Sequence, residues 1–450
     1  MSNDELPNGW TEIGFSELNS FSSSTINPAD YPSEIFELYS VPIFPTRKPE
    51  ILKGADIGST KQAVAADDVL ICKINPRINR VWKVMPKTTR RQIASSEWIA
   101  MRAPGTNPDY LRAYFSSHEF REILCEDLTG VGGSLTRAQP KRVAKFKIPL
   151  APLAEQKRIA DKLEAVLGRV DSCRARLDRV PALLKRFRQS VLAAATTGKL
   201  TEEWRTTNDV NGEWENSPLG SVVNEIKNGL APKPKEQPPG TPILRISSVR
   251  TFQVHQTDIR YLSPSVAVEP YRLRIGDLLF TRYNGSLEFV GVCGLVRKIS
   301  VKGLVYPDKL IRVRVNKEQV MPDWIEIAAN SPQARDVIEN KARTSAGQTG
   351  ISGKDLRELL VPIPTFLEQQ EIVRRVEDLF AFADRIEARL ATAQKTVERL
   401  TPATLGKAFR GELVPQDPTD EPATKLLERF KSGSAPTTSA INTRRKLTAT

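Results

Sequence analysis

A chain of 450 residues has room for two or three domains, each with a core of its own. Its 66 Lys and Arg against 53 Asp and Glu give a formal charge of +13 and a pI near 9.5, which points to a polyanionic partner, nucleic acid first, and away from acidic ones. No run approaches the roughly 18 apolar residues of a membrane span, and the first ten residues contain neither a basic nor an apolar leader, so no membrane partner and a cytoplasmic location are expected.

In chain order, the first predicted element that matters is the strand within 66–73, where the acidic pair Asp67-Asp68 leads into Val69-Leu70-Ile71-Cys72. Between Asp68 and Glu97 the chain carries Lys73, Arg77, Arg80, Lys83, Lys87, Arg90 and Arg91 and no acidic side chain. Such a run is usually a solvated face. Here Asn75, Asn79 and Trp82 lie among the cations and offer hydrogen bonds and stacking beside phosphate-seeking charge, which reads as contact with nucleic acid. A helical stretch covers 109–125.

After Pro152 the apolar residues Ile159, Leu163, Val166, Val170, Cys173, Leu177, Val180, Leu184, Phe187 and Val191 recur in alternating steps of four and three, a heptad seam on a long helix. Pro181 lies inside the pattern and predicts a kink or break. A polar stretch leads to a second half with strands expected at 242–249, 275–282, 291–298 and 310–315 and a helix at 324–340. Gly276-Asp277 reads as a turn into a buried strand. The cations here are Lys233, Lys235, Arg245, Arg250, Arg272, Arg274 and Arg282, the last followed by Tyr283 and Asn284. Arg and Asn make bidentate contacts with guanine and adenine edges, so Arg282 and Asn284 are the candidate base readers, although Arg282 could simply end a strand. A second helix follows Pro364, with Thr365 and Glu368 in capping-box spacing. Its seam is Ile372, Val376, Leu379, Ala383, Ile386, Leu390, Ala393, Val397 and Leu400, and Pro402 again predicts a kink or break.

The two halves repeat. Ile148 to Gln156 reappears as Val361 to Gln369, and Gly198-Lys199-Leu200 as Gly411-Glu412-Leu413, both 213 positions later. One isolated heptad stripe would suit homodimerisation; two of equal length in one chain can satisfy each other. The fold expected is therefore mixed α/β (α+β): two globular domains alternate with two long helices that pair as an antiparallel coiled coil, related by a pseudo-two-fold axis. The boundaries read as 1–150 and 213–364 for the globular domains, 151–205 and 365–413 for the helices, and 414–450 for a largely flexible tail.

Catalytic motifs are missing. Gly198-Lys199 and Gly353-Lys354 both fail the spacing of a phosphate loop, Pro307-Asp308 lacks the acid-x-Lys of a metal-dependent nuclease, and Asn75-Pro76 runs into Arg77 rather than into the Pro-aromatic end of an adenine methyltransferase motif. Cys72, Cys125, Cys173 and Cys293 form no CxxC pair, and only His118 and His255 could join them, which argues against zinc and against a disulfide framework.

Two variable domains, each followed by a long helix introduced by a Pro-rich turn and Glu-Gln, resemble the specificity subunits of type I restriction-modification systems over nearly the whole chain. The motifs carrying the resemblance lie at 149–159, 183–205, 276–294 and 353–413, and Leu184 to Leu192 with Ala408 to Leu413 look like subgroup A. The double proline before Glu-Gln is broken here as Ala151-Pro152 and Pro364-Thr365. The resemblance implies that each domain is a target-recognition domain reading one half of a split double-stranded DNA sequence, while the helices set the unread gap. It implies partners as well: methylation subunits, two of them, carrying S-adenosylmethionine, and restriction subunits bringing ATP and Mg²⁺. No cofactor and no catalysis are expected in this chain. The competing reading is a coiled-coil nucleic-acid-binding scaffold outside restriction-modification.

Overall fold

The computed structural model describes residues 6–126, 136–210, 212–345 and 348–432. Its principal helices are α1 (Pro108–Phe115), α2 (His118–Cys125), α3 (Leu153–Leu177), α4 (Val180–Thr196), α5 (Pro322–Ala329), α6 (Pro332–Lys341), α7 (Phe366–Phe409) and α8 (Ala423–Lys431). The chain divides into two compact units, Met1–Leu177 with Thr392–Thr450, and Asp178–Ala391. Each globular half thus folds together with parts of both long helices.

In the first unit, strand Thr11–Gly14 pairs antiparallel with Lys147–Leu150, closing the globular part immediately before α3. A three-stranded antiparallel sheet places Val69–Cys72 between Val81–Lys83 and Trp98–Met101. A second sheet has five strands, in the order Thr25–Ile26, Lys61–Ala63, Arg91–Ala94, Ile35–Tyr39 and Glu50–Lys53. All four residues of Val69–Cys72 are buried, which is why the segment is apolar without alternation. The core joins Val69 and Ile71 to Tyr110, Tyr114 and Phe115 of α1, Ile159 and Leu163 of α3, and Leu405, Ala408 and Phe409 of α7. The Phe409 ring lies 5.4 Å from that of Tyr110 and 5.2 Å from that of Tyr114, both edge to face.

The second unit repeats the plan. Glu215–Pro218 pairs with Leu360–Ile363 immediately before α7. A sheet in the order Val223–Asn228, Leu310–Val315, Leu278–Thr281 and Cys293–Leu295 again keeps one fully buried strand, Leu278–Thr281, inside. Helices α5 and α6 correspond to α1 and α2. Ser117 caps α2 by accepting from Phe120 N (3.1 Å), and Ser331 caps α6 by accepting from Ala334 N (3.3 Å). Gly198 and Gly411 both turn the chain at φ of 75° and 72°, the left-handed region glycine enters freely, just after α4 and α7 end.

Expectation and structure differ at several points. The helix read over 151–205 is interrupted at Asp178 and Arg179, beside the predicted Pro181 break, and a short helix, Glu202–Thr207, follows α4. Pro402, by contrast, does not break α7. It sits on an exposed face, so the carbonyl deprived of its partner remains open to water and only one helical hydrogen bond is lost. Of the seam, Ile159, Leu163, Val170, Leu184, Val191, Ile372, Val376, Ala383 and Leu390 are buried. Val166, Leu177, Leu379, Ile386 and Val397 are half-buried, while Cys173 and Leu400 are exposed, Cys173 in the turn before the break. The stretch 109–125 is two helices, because Ser116 and Ser117 end one and cap the next. Strand 242–249 shortens to Thr241–Leu244 with a turn and a two-residue strand after it. Where a flexible tail was expected from 414, α8 forms and buries Ala423 and Leu426; residues 433–450 lie outside the described residues. Among the described residues no helix is long and apolar enough to cross a membrane.

Candidate nucleic-acid interface

Each unit is built on the same buried polar frame. Trp10 Nε1 donates to Glu155 Oε2 (3.0 Å), and Trp214 Nε1 donates to Glu368 Oε2 (2.9 Å), so the tryptophan that opens each globular half is anchored to the first turn of the helix that follows it. The neighbouring glutamines match too. Gln156 accepts from Asn107 N, at the start of α1, and donates to Ala151 O; Gln369 accepts from Met321 N, at the start of α5, and donates to Pro364 O. Thr365 does cap α7 (Glu368 N to Oγ1, 3.3 Å), but the Glu368 side chain does not complete a capping box because Trp214, Thr201 and Arg205 hold it.

A second pair of nodes sets the turn that feeds the central strand. Asp68, 1% exposed, accepts from Ala65 N (2.8 Å) and is held bidentately by Arg102 (2.7 and 2.6 Å). Asp277, 3% exposed, accepts from Arg274 N (2.8 Å) and is held by Arg314 (2.6 and 3.1 Å). A buried carboxylate needs this pairing, and the pairing fixes where the strand begins and so where it ends.

At its end each central strand releases a short, braced loop. In the first unit Asn75 and Asn79 adopt left-handed conformations (φ 46° and 49°), which asparagine tolerates better than bulkier residues, around a single turn Pro76–Ile78. Asn75 N donates to Thr136 O (2.9 Å), Asn79 N to Pro76 O (2.9 Å), and Asn79 Nδ2 to Ser117 O at the start of α2 (3.3 Å). Arg77 and Ile78 are left pointing outward, Ile78 at 58% exposure. In the second unit Tyr283–Asn284 pairs with Gln348–Gly350, and Asn284 Oδ1 accepts from Ser286 N (3.0 Å). The turn Leu287–Phe289 follows, its far side held by Arg335 of α6 through the carbonyls of Val290 and Glu288. Leu287 is 43% exposed.

The predicted cations divide between these loops and internal duties. Lys83 is paired with Asp109 (2.6 Å), Arg80 donates to Ile74 O (3.2 Å), and Arg90 lies 3.9 Å from Glu37. Arg91 is bound bidentately by Glu34 and stacked over Tyr31, and its hydrogen bonds hold the Glu34 carboxyl below the usual carboxylate range. Trp82 is no stacking platform: it is 4% exposed, in an aromatic cluster with Tyr39, Phe44 and Trp98. Lys73, Arg77 and Lys87 have no acidic partner among the described residues; Lys73 lines a cleft of about 320 Å³ with Asn19, Gln62 and Trp98. In the second unit Arg245 pairs with Asp258 (3.0 Å), whose pKa is lowered first by the Ser247 hydroxyl and then by Arg245. Arg272 pairs with Glu269 (2.6 Å) and lowers its pKa. Arg272 and the exposed Arg274 precede the strand Leu278–Thr281, whereas Arg250, Arg282, Tyr283 and Asn284 gather past its end: Arg282 stacks over Tyr283 at 4.7 Å and Arg250 over Phe289 at 4.8 Å. Lys233 and Lys235 are exposed in the loop before Thr241–Leu244.

Sequence reasoning missed one regularity. Lys73-Ile74-Asn75-Pro76-Arg77-Ile78 and Arg282-Tyr283-Asn284-Gly285-Ser286-Leu287 both begin at the first residue after the central strand and share cation, Asn and aliphatic residues at their first, third and sixth positions. The signal was present, at an offset of 209 rather than the 213 that relates the helices. Among the described residues no group of three His, Cys, Asp or Glu is placed to hold a metal ion.

Comparison with known proteins agrees with this architecture. Residues 211–394 match the family model for the type I restriction modification DNA specificity domain. The chain is 48% identical over 313 residues to the EcoKI specificity subunit of Escherichia coli K12, covering 68% of this chain and 67% of that one. It is 35% identical over 339 residues to the StySPI specificity subunit of Salmonella potsdam, covering 73% and 72%. Among solved structures, the HsdS subunit from Thermoanaerobacter tengcongensis aligns with a TM-score of 0.60 over 91% of this chain and 98% of its own, and a chain from a study of complex assembly and conformational transition of the type I R-M system with 0.68 over 91% and 100%, each at 21% identity. Those two likenesses define the fold class. The chain belongs to the family of type I restriction enzyme specificity subunits, and a coiled-coil scaffold outside restriction-modification is not favoured.

Proposed function

We propose that this chain reads a bipartite double-stranded DNA target, one half with each unit, and directs adenine methylation or restriction performed entirely by partner subunits in the cytoplasm. The observation that carries this reading is the braced loop built twice on one buried frame, with different residues at its tip in each copy. Two frames with unlike loops suit two unlike half-sequences. The partners would be two methylation subunits, which bring S-adenosylmethionine, and restriction subunits, which bring ATP and Mg²⁺. Helices α3 and α4 would pair antiparallel with α7 to fix the unread gap. Within the second unit, Arg188 of α4 meets Asp384 and Glu387 (2.6 and 2.8 Å), while Leu200 and Thr201 farther along meet Arg375 and Glu368, as opposed chain directions require. The test is to exchange residues 20–139, inside the frame closed by Thr11–Gly14 and Lys147–Leu150, for those of a relative and to sequence the methylome of cells carrying the chimera with its methylation subunits. One half of the methylated sequence should change and the other stay. A change in both halves would defeat the modular reading.

A further inference from the structure

The six-residue tip that follows each central strand supplies a specificity element beyond the cations. Ile78 stands six residues past Cys72 and Leu287 six past Thr281, and they are 58% and 43% exposed. Both sit on turns that the rest of the unit immobilises. The carbonyl of Ser117, which caps α2, receives Asn79 Nδ2, and Thr136 O receives Asn75 N; Arg335 on α6 holds the carbonyls of Glu288 and Val290. A single exposed aliphatic residue means nothing. Two at the same place in both repeats, each on a braced turn and each with a cation and an Asn beside it, call for a common use. Charged and amide groups at such a tip suit phosphates and purine edges, and the one apolar sequence-bearing group in the major groove is the 5-methyl of thymine.

Resting on the reading of the chain as a DNA-specificity subunit, we propose that Ile78 and Leu287 are specificity-determining residues, each packing against the methyl group of one thymine in the half-site its own unit reads. Adenine methylation in both halves guarantees an A·T pair, and so a thymine, in each. Burying one methyl-sized group is worth roughly 0.8 kcal/mol, or about fourfold in affinity.

The experiment uses the full chain with its methylation subunits and the target defined by the methylome of the wild type. Duplexes carry deoxyuridine in place of each thymine in turn, which removes only the methyl. Wild-type complex should lose about fourfold at one thymine in each half. Ile78→Ala should lose that sensitivity in one half alone and Leu287→Ala in the other, with melting temperatures little changed because both side chains lie at the surface. Three results would overturn the proposal: no thymine sensitive to its methyl, sensitivity that survives the alanine substitutions, or a loss equal on specific and random DNA. A wild type that methylates no defined bipartite sequence would instead sink the reading of the chain's function, so the two failures are distinguishable.

Discussion

Glu155 and Glu368 occupy the same position in the two units and accept from the same kind of donor, yet their substitution by Gln should move stability in opposite directions. Glu368 uses one oxygen for Trp214 Nε1 and the other for Thr201 Oγ1 (2.7 Å) and Arg205 Nη1 (2.8 Å). The 213-residue repeat places Val414 and Pro418 where Thr201 and Arg205 stand, and Glu155 Oε1 is left buried with no hydrogen-bond partner. Burial raises the Glu155 pKa above 4.5, with the Trp10 hydrogen bond opposing it. A raised folded-state value means that folding favours the protonated form: the stabilisation is complete below pH 4.5 and is lost as pH rises through the folded-state pKa. At pH 7 Glu155→Gln keeps an acceptor for Trp10 and removes the buried charge, so it should stabilise the first unit and flatten its pH dependence above 4.5. Glu368→Gln forfeits a charge-assisted bond worth roughly 1.5–3 kcal/mol; with Arg205 24% exposed, about 2 kcal/mol is expected. Hydrogen exchange read by mass spectrometry on Lys147–Leu150 and Leu360–Ile363 reports each node separately. The second strand should exchange about 30-fold faster in Glu368→Gln, and the first more slowly in Glu155→Gln. Shifts of the same sign at pH 7 would refute the assignment of an uncompensated charge to Glu155.

Three further outcomes follow from the same geometry. Arg312→Met removes a 1% exposed guanidinium that serves Glu225 and the carbonyls of Arg272 and Pro270; it should cost about 3 kcal/mol, lowering the melting temperature of the second unit by roughly 6–12 °C in calorimetry, and a shift under 2 °C would show that water replaces it. Lys87→Ala should reduce the slope of log affinity against log salt by about 0.9, while Lys83→Ala should leave it unchanged because Asp109 already holds Lys83; the reverse order would mean that DNA displaces the aspartate. Arg282→Ala should relax specificity at one base pair, about 1–3 kcal/mol at the cognate site, and a uniform loss on all sequences would make it a phosphate contact.

The repeat, the mixed fold and the terminal anchors were legible because they depend on local pattern: heptad spacing, Pro-flanked helix starts and Glu-Gln recurring at a fixed distance. The first cation run was not fully legible. Its acidic partners, Glu34, Glu37 and Asp109, lie far from it in sequence, so a stretch without acids looked free when three of its seven cations were paired. Trp82 looked like a stacking residue among arginines, but its strand is covered on both faces: Val81 packs into the core that holds Tyr110 and Tyr114, and Trp82 into the aromatic cluster. The loop repeat escaped notice because the segment between strand and helix is four residues longer in the second copy, which shifts the offset from 213 to 209.

That shift separates what the fold must hold constant from what it can leave free. The carboxylates and glutamines of the Trp–Glu, Gln and Asp–Arg nodes are almost wholly buried, and losing a partner strands such a group out of reach of water. Ile78, Arg77 and Leu287 are exposed, and substitutions at surface positions usually change stability by less than about 0.5 kcal/mol. The bracing contacts meanwhile come from the Asn79 amide, the Asn75 backbone N–H and the Arg335 guanidinium, which donate to the carbonyls of Ser117, Thr136, Glu288 and Val290, so substituting Arg77, Ile78 or Leu287 removes none of these bonds. A tip whose position is fixed by Asn79, Arg335 and a main-chain contact rather than by the side chains it presents can change the sequence it reads without endangering the unit that presents it, and carrying two copies lets each half of a split target change alone.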